Sequence, residues 1–287
     1  MLNMRLVRFG PQGNERPGLL DDSDVLRDLS GHCADIGPDE LSPHGLTRLA
    51  AIDPISLPRV QGSPRLGVPF SGTRQFIAVG LNYSDHAAES NMPVPSEPVL
   101  FTKALSCLQG PNDDVRKPRN ATEMDWEVEL GVVIGSRASY IDKQQALEHV
   151  AGYVVVDDLS ERNFQLKRGG SWDKGKGCET FGPVGPWLVT KDAIDDVQSL
   201  GMWLDVNGTR MQTGSTSRMI FDCATLVSYI SQFLVLLPGD VITTGTPPGV
   251  GMGRSPPIYL REGDVIELGI EKLGSQRHRV IPWDLRS

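Results

Sequence analysis

A chain of 287 residues is long enough for one large domain, or one large and one small, and buries a core without disulfides. Its 28 basic and 36 acidic residues leave a net charge of −8, which excludes nucleic acid as a general partner, because phosphate binding needs a basic footprint. A small anionic substrate held by a local cation stays compatible. No apolar leader and no run of 18 apolar residues occur, so neither a signal peptide nor a membrane partner is expected. Cys33, Cys107, Cys178 and Cys223 form no CxxC pair and predict reduced thiols in a cytoplasmic protein.

Taken in chain order, Met4–Phe9 predicts a short strand, and further short pieces follow at Leu19-Leu20 and Val25-Leu26. Pro54, Pro58, Pro64 and Pro69 then punctuate a stretch without helical period. Residues 1–70 are therefore expected to form a small β-rich N-terminal module and linker, and residues 71–287 the main domain. There the strand-like runs are 74–80, 99–102, 126–134, 151–156, 187–190, 202–206, 241–244, 265–270 and 277–281. Helical spacing is confined to 143–149 and 221–236. Many strands, few helices and no βαβ alternation predict a strand-rich α+β fold rather than a doubly wound sheet.

The chemistry-bearing residues sit at the ends of these runs. In Asp125-Trp-Glu-Val-Glu-Leu-Gly, Glu127 and Glu129 are two residues apart on a strand and share a face. Such a pair is most often a wet face. Here the strand continues into the apolar run Gly131–Ile134, where paired acids are costly without a cation between them. The apolar strand Gly152–Val156 ends in Asp157-Asp158, either a cap for the following turn or a third carboxylate ligand. Three carboxylates without His or Cys suit Mg²⁺, Mn²⁺ or Ca²⁺ and disfavour Zn²⁺.

Five histidines are present. His32 and His44 lie in the polar N-terminal part, His149 ends a short helix, and His278 falls in a surface-like strand, Gln-Arg-His-Arg. His86 alone follows a core strand and a turn, with Glu89 three residues on. On a helical turn these two are neighbours, either a solvated pair or a general base with an orienting carboxylate. The Gly-rich stretch Thr243–Gly253 lacks the spacing of a nucleotide loop. It reads as a plain turn or as a loop whose amides and Thr246 hydroxyl hold a carboxylate.

Seven motifs appear in order: Gly80-x-Asn-Tyr-x-x-His-x-x-Glu89, Pro98-Val-Leu-Phe-x-Lys103, Trp126-Glu-x-Glu129-Leu, Asp158-Leu-Ser-x-Arg, Lys176-x-x-x-x-Phe-Gly-Pro183, Met219-Ile-Phe221 and Thr244-Gly-Thr-Pro-x-Gly-Val-Gly251. Together, over residues 74–281, they resemble the fumarylacetoacetate hydrolase superfamily, and residues 1–70 resemble the small N-terminal domain of its longer bacterial members. The resemblance implies a mixed β-sandwich roll, a homodimer, and a Mg²⁺ or Mn²⁺ ion on Glu127, Glu129 and Asp158, with Ca²⁺ able to replace it in a crystal. It implies His86 and Glu89 as a water-activating dyad on a lid. Lys176 and Gln165 are implied beside the reacting group, Thr246 at the substrate carboxylate, and Lys103 as a further substrate-binding lysine.

Residues 93–114 and 169–186 resemble the family members that cleave a 2,4-diketo sugar acid to pyruvate and lactate. The implied partner is thus a small anionic diketo acid. A lyase on ureidoglycolate, a decarboxylase on oxaloacetate, or a non-catalytic metal- or ligand-binding protein stay open as alternatives.

Overall fold

The structure is a computed structural model, and it describes residues 3–84 and 95–284. In chain order the strands are β1 (Arg5–Phe9), β2 (Arg16–Leu20), β3 (Leu26–Asp28), β4 (Phe76–Gly80), β5 (Val99–Thr102), β6 (Leu108–Gln109), β7 (Val115–Lys117), β8 (Met124–Asp125), β9 (Val128–Ile134), β10 (Val150–Asp157), β11 (Ser160–Glu161), β12 (Gly182–Thr190), β13 (Gly201–Val206), β14 (Thr209–Ser215), β15 (Val241–Thr243), β16 (Val265–Ile270) and β17 (Gly274–Pro282). A large sheet runs β3-β2-β1-β12-β10-β9-β15-β4-β5, with β6 added beside β12. A second runs β14-β13-β16-β17-β7, and β8 pairs with β11. Most pairings are antiparallel, but β4 with β15, β6 with β12 and β7 with β17 are parallel. This is the strand-rich, mixed α+β fold expected from the sequence.

Every residue of β9 and β10 is buried. That follows from their place at the centre of the large sheet, with β13, β16 and β17 packed against them. The apolar runs at 130–134 and 150–156 are what a strand covered on both faces needs. Gly131 serves this packing: a Cβ there would lie 2.6 Å from Val154 Cγ2 and 2.8 Å from Val156 Cγ2.

Two local readings are corrected, and the β-rich N-terminal segment also carries helices Pro38–Leu41 and Pro43–Ala50. Ser42 starts the longer one by accepting from Gly45 N at 3.0 Å, Pro43 supplies a preset first residue, and Leu46 and Leu49 turn into the core. The helix expected over 221–236 covers only Cys223–Ile230. Asp222 caps its start, accepting from Thr225 N at 2.7 Å. Past Ile230 the chain leaves the helix because Leu236 exchanges backbone hydrogen bonds with Ala138. His278, expected at the surface, is fully buried on β17. The charged residues flanking it point outward by strand alternation, while His278 faces in.

Candidate active site

The register of two strands assembles the acidic cluster. β9 pairs with β10 so that Glu129 faces Val156 and Val128 faces Asp157. One residue further along, Asp158 N donates to Glu127 O at 2.9 Å. Glu127 and Glu129 share a face by the two-residue repeat, and Asp158 arrives beside them across the ladder. All three are buried, and an oxygen from each lies within 4.8 Å of the others.

Basic groups surround the acids. Lys176 Nζ donates to Glu127 Oε2 at 2.6 Å and Asp158 Oδ2 at 2.7 Å. Lys103 Nζ donates to Asp158 Oδ1 at 2.6 Å and to Lys176 O at 2.5 Å. Arg162 bonds Asp125 Oδ2 at 2.9 Å, Glu127 Oε1 at 2.7 Å and Gln165 Oε1 at 3.2 Å. Burial by itself would raise the Glu127 carboxyl, but Lys176 and Arg162 together hold it well below the ordinary range. Glu129 goes the other way: burial, then the charges of Asp158 and Glu127, push its carboxyl well up. The acidic surplus thus collects at Glu129, whose Oε2 accepts from Thr243 Oγ1 and from Gly245 N at 2.8 Å.

Three converging carboxylates with a charge surplus fit a hard divalent cation, and their all-oxygen donor set is what such an ion selects. Part of the counter-charge that acids leading into a core strand require comes from Lys176 and Arg162.

The cluster lines a cavity of about 380 Å³. Gln165, Thr246 and Lys176 line it too. Arg162 can only donate, so it takes the Gln165 oxygen and leaves the amide NH₂ as the group available to a ligand. Thr246 Oγ1 donates to Val128 O at 2.9 Å and accepts from Gln212 Nε2 at 2.8 Å. Lys103 stands behind Asp158, fully enclosed, and is not on the cavity wall. His86 and Glu89 lie outside the described residues. The Gly-rich loop holds carboxylates of the protein itself: Gly245 N on Glu129, and Gly251 N and Met252 N on Asp125 at 2.7 and 3.0 Å.

Sequence reasoning gave no role to Asp125 or Arg162. Their signal was present in the alternation Asp125, Glu127, Glu129, three acids on one strand face, and in a basic residue just past Asp158. It also passed over the apolar lining of the cavity, Leu81, Phe101, Leu166, Trp172 and Met252.

Behind the site, burial raises the Asp157 carboxyl to about 8 and lowers the His278 imidazole to about 4. Both are therefore neutral near pH 7 where they approach to 4.0 Å. Asp157 Oδ1 accepts from Glu127 N at 3.2 Å, while Oδ2 has no hydrogen-bond partner among the described residues. No helix among the described residues is long and apolar enough to cross a membrane.

Comparison with known proteins agrees with this geometry. The family model for the C-terminal part of fumarylacetoacetate hydrolase matches residues 75–281. The chain is 56% identical over 281 residues to a 2,4-didehydro-3-deoxy-L-rhamnonate hydrolase of Sphingomonas sp. (strain SKA58), covering 98% of this chain and 97% of that protein. Among solved structures it resembles the fumarylacetoacetate hydrolase of psychrophilic Exiguobacterium antarcticum, with TM-score 0.88 and 34% identity over 97% of this chain and 99% of that one. It also resembles maleylpyruvate hydrolase from Sphingobium sp. SYK-6 in complex with manganese(II) and pyruvate, with TM-score 0.81 and 28% identity over 97% and 99% of the two chains. The match spans nearly the whole chain and includes the strands that carry the carboxylates, so the protein is a hydrolase that belongs to the fumarylacetoacetate hydrolase family.

Proposed function

We propose that this chain hydrolyses a carbon–carbon bond in a small 2,4-diketo acid with Mg²⁺ or Mn²⁺ as cofactor, and that the substrate is 2,4-didehydro-3-deoxy-L-rhamnonate, giving pyruvate and lactate. The observation that carries the reading is the convergence of Glu127, Glu129 and Asp158 on one cavity that also presents Lys176 and Gln165. The named activity of the Sphingomonas relative, and the manganese and pyruvate held by the Sphingobium neighbour, support it.

Glu127, Glu129 and Asp158 would hold the cation, and when bound it supplies a Lewis acid toward the oxygens of the substrate's 2-oxo acid end. His86 takes a proton from water, with Glu89 orienting its ring. The resulting hydroxide adds to the C4 carbonyl, and the amide NH₂ of Gln165 donates to the oxyanion that forms. The C3–C4 bond then breaks, its electron pair passing to C3 of the pyruvate half. The Lys176 ammonium balances that charge, and a proton returned to C3 completes pyruvate. Arg162 orients Gln165 and Glu127 throughout, and Thr246 would hold the substrate carboxylate by turning its hydroxyl from Val128 O to the ligand.

Purified protein with Mn²⁺ or Mg²⁺ should release pyruvate from acetylpyruvate and from the diketo sugar acid, and EDTA should stop it. Turnover that survives exhaustive chelation would overturn the metal-dependent reading. His86→Ala should abolish turnover and leave Mn²⁺ binding by calorimetry unchanged; lost metal binding instead would remove His86 from the role of base.

A further inference from the structure

We propose that Trp172 is a specificity-determining residue: it walls an uncharged end of the cavity that accepts a short apolar substrate terminus and turns away one ending in a carboxylate. The inference rests on the 2-oxo acid reading of the charged end, because it assigns the opposite end of the same ligand.

The cavity lining is part charged and part apolar. Its basic lining residues, Arg162 and Lys176, are already engaged with Asp125, Glu127 and Asp158. No other lining residue among the described ones is basic. The apolar lining is Trp172, Phe101, Leu166, Leu81 and Met252, none of which offers a charged partner. A second carboxylate placed there would lose its water without gaining a cation.

Trp172 is also held in place. It lies one turn before Lys176, whose N–H donates to Trp172 O at 3.1 Å. Residues four apart on a helix face the same side, so one short turn brings both the ammonium and the indole to the cavity. Asp173 Oδ1, the next residue, accepts from Thr102 N and Thr102 Oγ1 at 3.2 Å each. The indole meets Phe101 edge to face with centroids 5.2 Å apart. It packs on Gly80 so closely that a Cβ there would lie 2.6 Å from Trp172 Cζ3. The Phe101 ring centre in turn lies 5.3 Å from Lys176 Nζ.

The test uses two 2-oxo acids of equal length that need no turnover. Calorimetry on the Mn²⁺-loaded protein compares 2-oxopentanoate, which ends in a methyl group, with 2-oxoglutarate, which ends in a carboxylate. The native protein should bind 2-oxopentanoate at least about 10-fold more tightly, in line with the discrimination that pocket contacts achieve. Trp172→Ala should bring the two within about 3-fold. Leu166→Ala should narrow the gap in the same direction, and its side chain is 44% exposed, so that variant keeps the fold if Trp172→Ala does not.

Equal binding of the two acids by the native protein overturns the proposal, as does a variant that weakens both alike. Pyruvate release from acetylpyruvate is measured in parallel. Discrimination without release sinks the hydrolytic reading and leaves this one standing. Release without discrimination sinks only this one, and failure to bind either acid sinks it too.

Discussion

Arg162 shows how much of the site depends on one side chain. It is 3% exposed and bonded to two carboxylates and an amide, and burial opposes its charge until Asp125 and Glu127 outweigh that and raise its pKa. Removing it leaves two buried carboxylates short of a partner. Arg162→Met should therefore destabilise the fold by about 3–5 kcal/mol, the range for breaking a buried ion pair from one side. Urea unfolding measures it, and a loss below about 1 kcal/mol would mean that the network contributes little. His278 makes a pH-dependent contribution. Its folded pKa, near 4, lies below the ordinary 6.5, so the unfolded chain takes up a proton between these values while the folded one does not. This contribution is fully present above pH 6.5 and lost as pH drops toward 4, by up to about 3 kcal/mol. It opposes that of Asp157, whose carboxyl, raised to about 8, favours the folded state as pH falls over the same range. His278→Gln should therefore raise stability at pH 4 relative to pH 7, compared with the native protein, in thermal unfolding followed across that range. An unchanged slope would show that the imidazole is not the group responsible.

The loop after β15 fixes Glu129 through backbone as well as side chain. Gly245 has φ +94°, and a Cβ there would meet Asn82 Cβ at 2.8 Å. Gly245→Ala should shift the amide that donates to Glu129 and weaken Mn²⁺ binding about 10-fold, the usual effect of disturbing a group that orients a ligand. Calorimetry reads this directly, and native affinity in the variant would show that Thr243 alone suffices. The elements that were legible in the sequence are those with a strong period. The two-residue alternation around Glu127 and the apolar run before Asp158 announced β9, β10 and the carboxylates at their ends. Helix Pro43–Ala50 was obscured because prolines surround it, although Ser42-Pro43 is itself a start signal. The inward turn of His278 was hidden by its charged neighbours, since alternation says that it differs from them but not which side is the core. Trp172 could not be placed from sequence, because what it does depends on contacts with Phe101 and Gly80, far away in the chain.

At the scale of the whole molecule, the N-terminal strands join the large sheet where β1 pairs with β12, at Arg5 with Val189 and Leu6 with Leu188. A second tie is Arg65, which grips Asp113 with two bonds of 2.7 Å and Glu15 with one of 2.8 Å. Leu6, Leu19, Leu41 and Leu49 belong to the same core cluster as β9 and β10. Deleting residues 1–70 should uncover the β12 edge and part of that core, and give a product that aggregates instead of unfolding cooperatively. A soluble truncated chain with a single sharp transition in scanning calorimetry would contradict this. Arg65→Ala should cost about 1–3 kcal/mol in urea unfolding, the range for hydrogen bonds between charged groups, and leave pyruvate release unchanged.

The pairing of β9 with β10 also bears on how the chain finds its fold. If β10 slid by one residue along β9 so that Leu159 came opposite Glu127, Asp158 would leave the face that carries Glu127 and Glu129, and an apolar side chain would take its place. Lys176, Lys103 and Arg162 would then be buried against a wall missing one of their counter-charges. The acids that serve chemistry in the finished protein thus also penalise that misalignment, which the uniform apolar stretches beyond them would tolerate, whereas the opposite slide brings Asp157 to the same place and keeps an acid there.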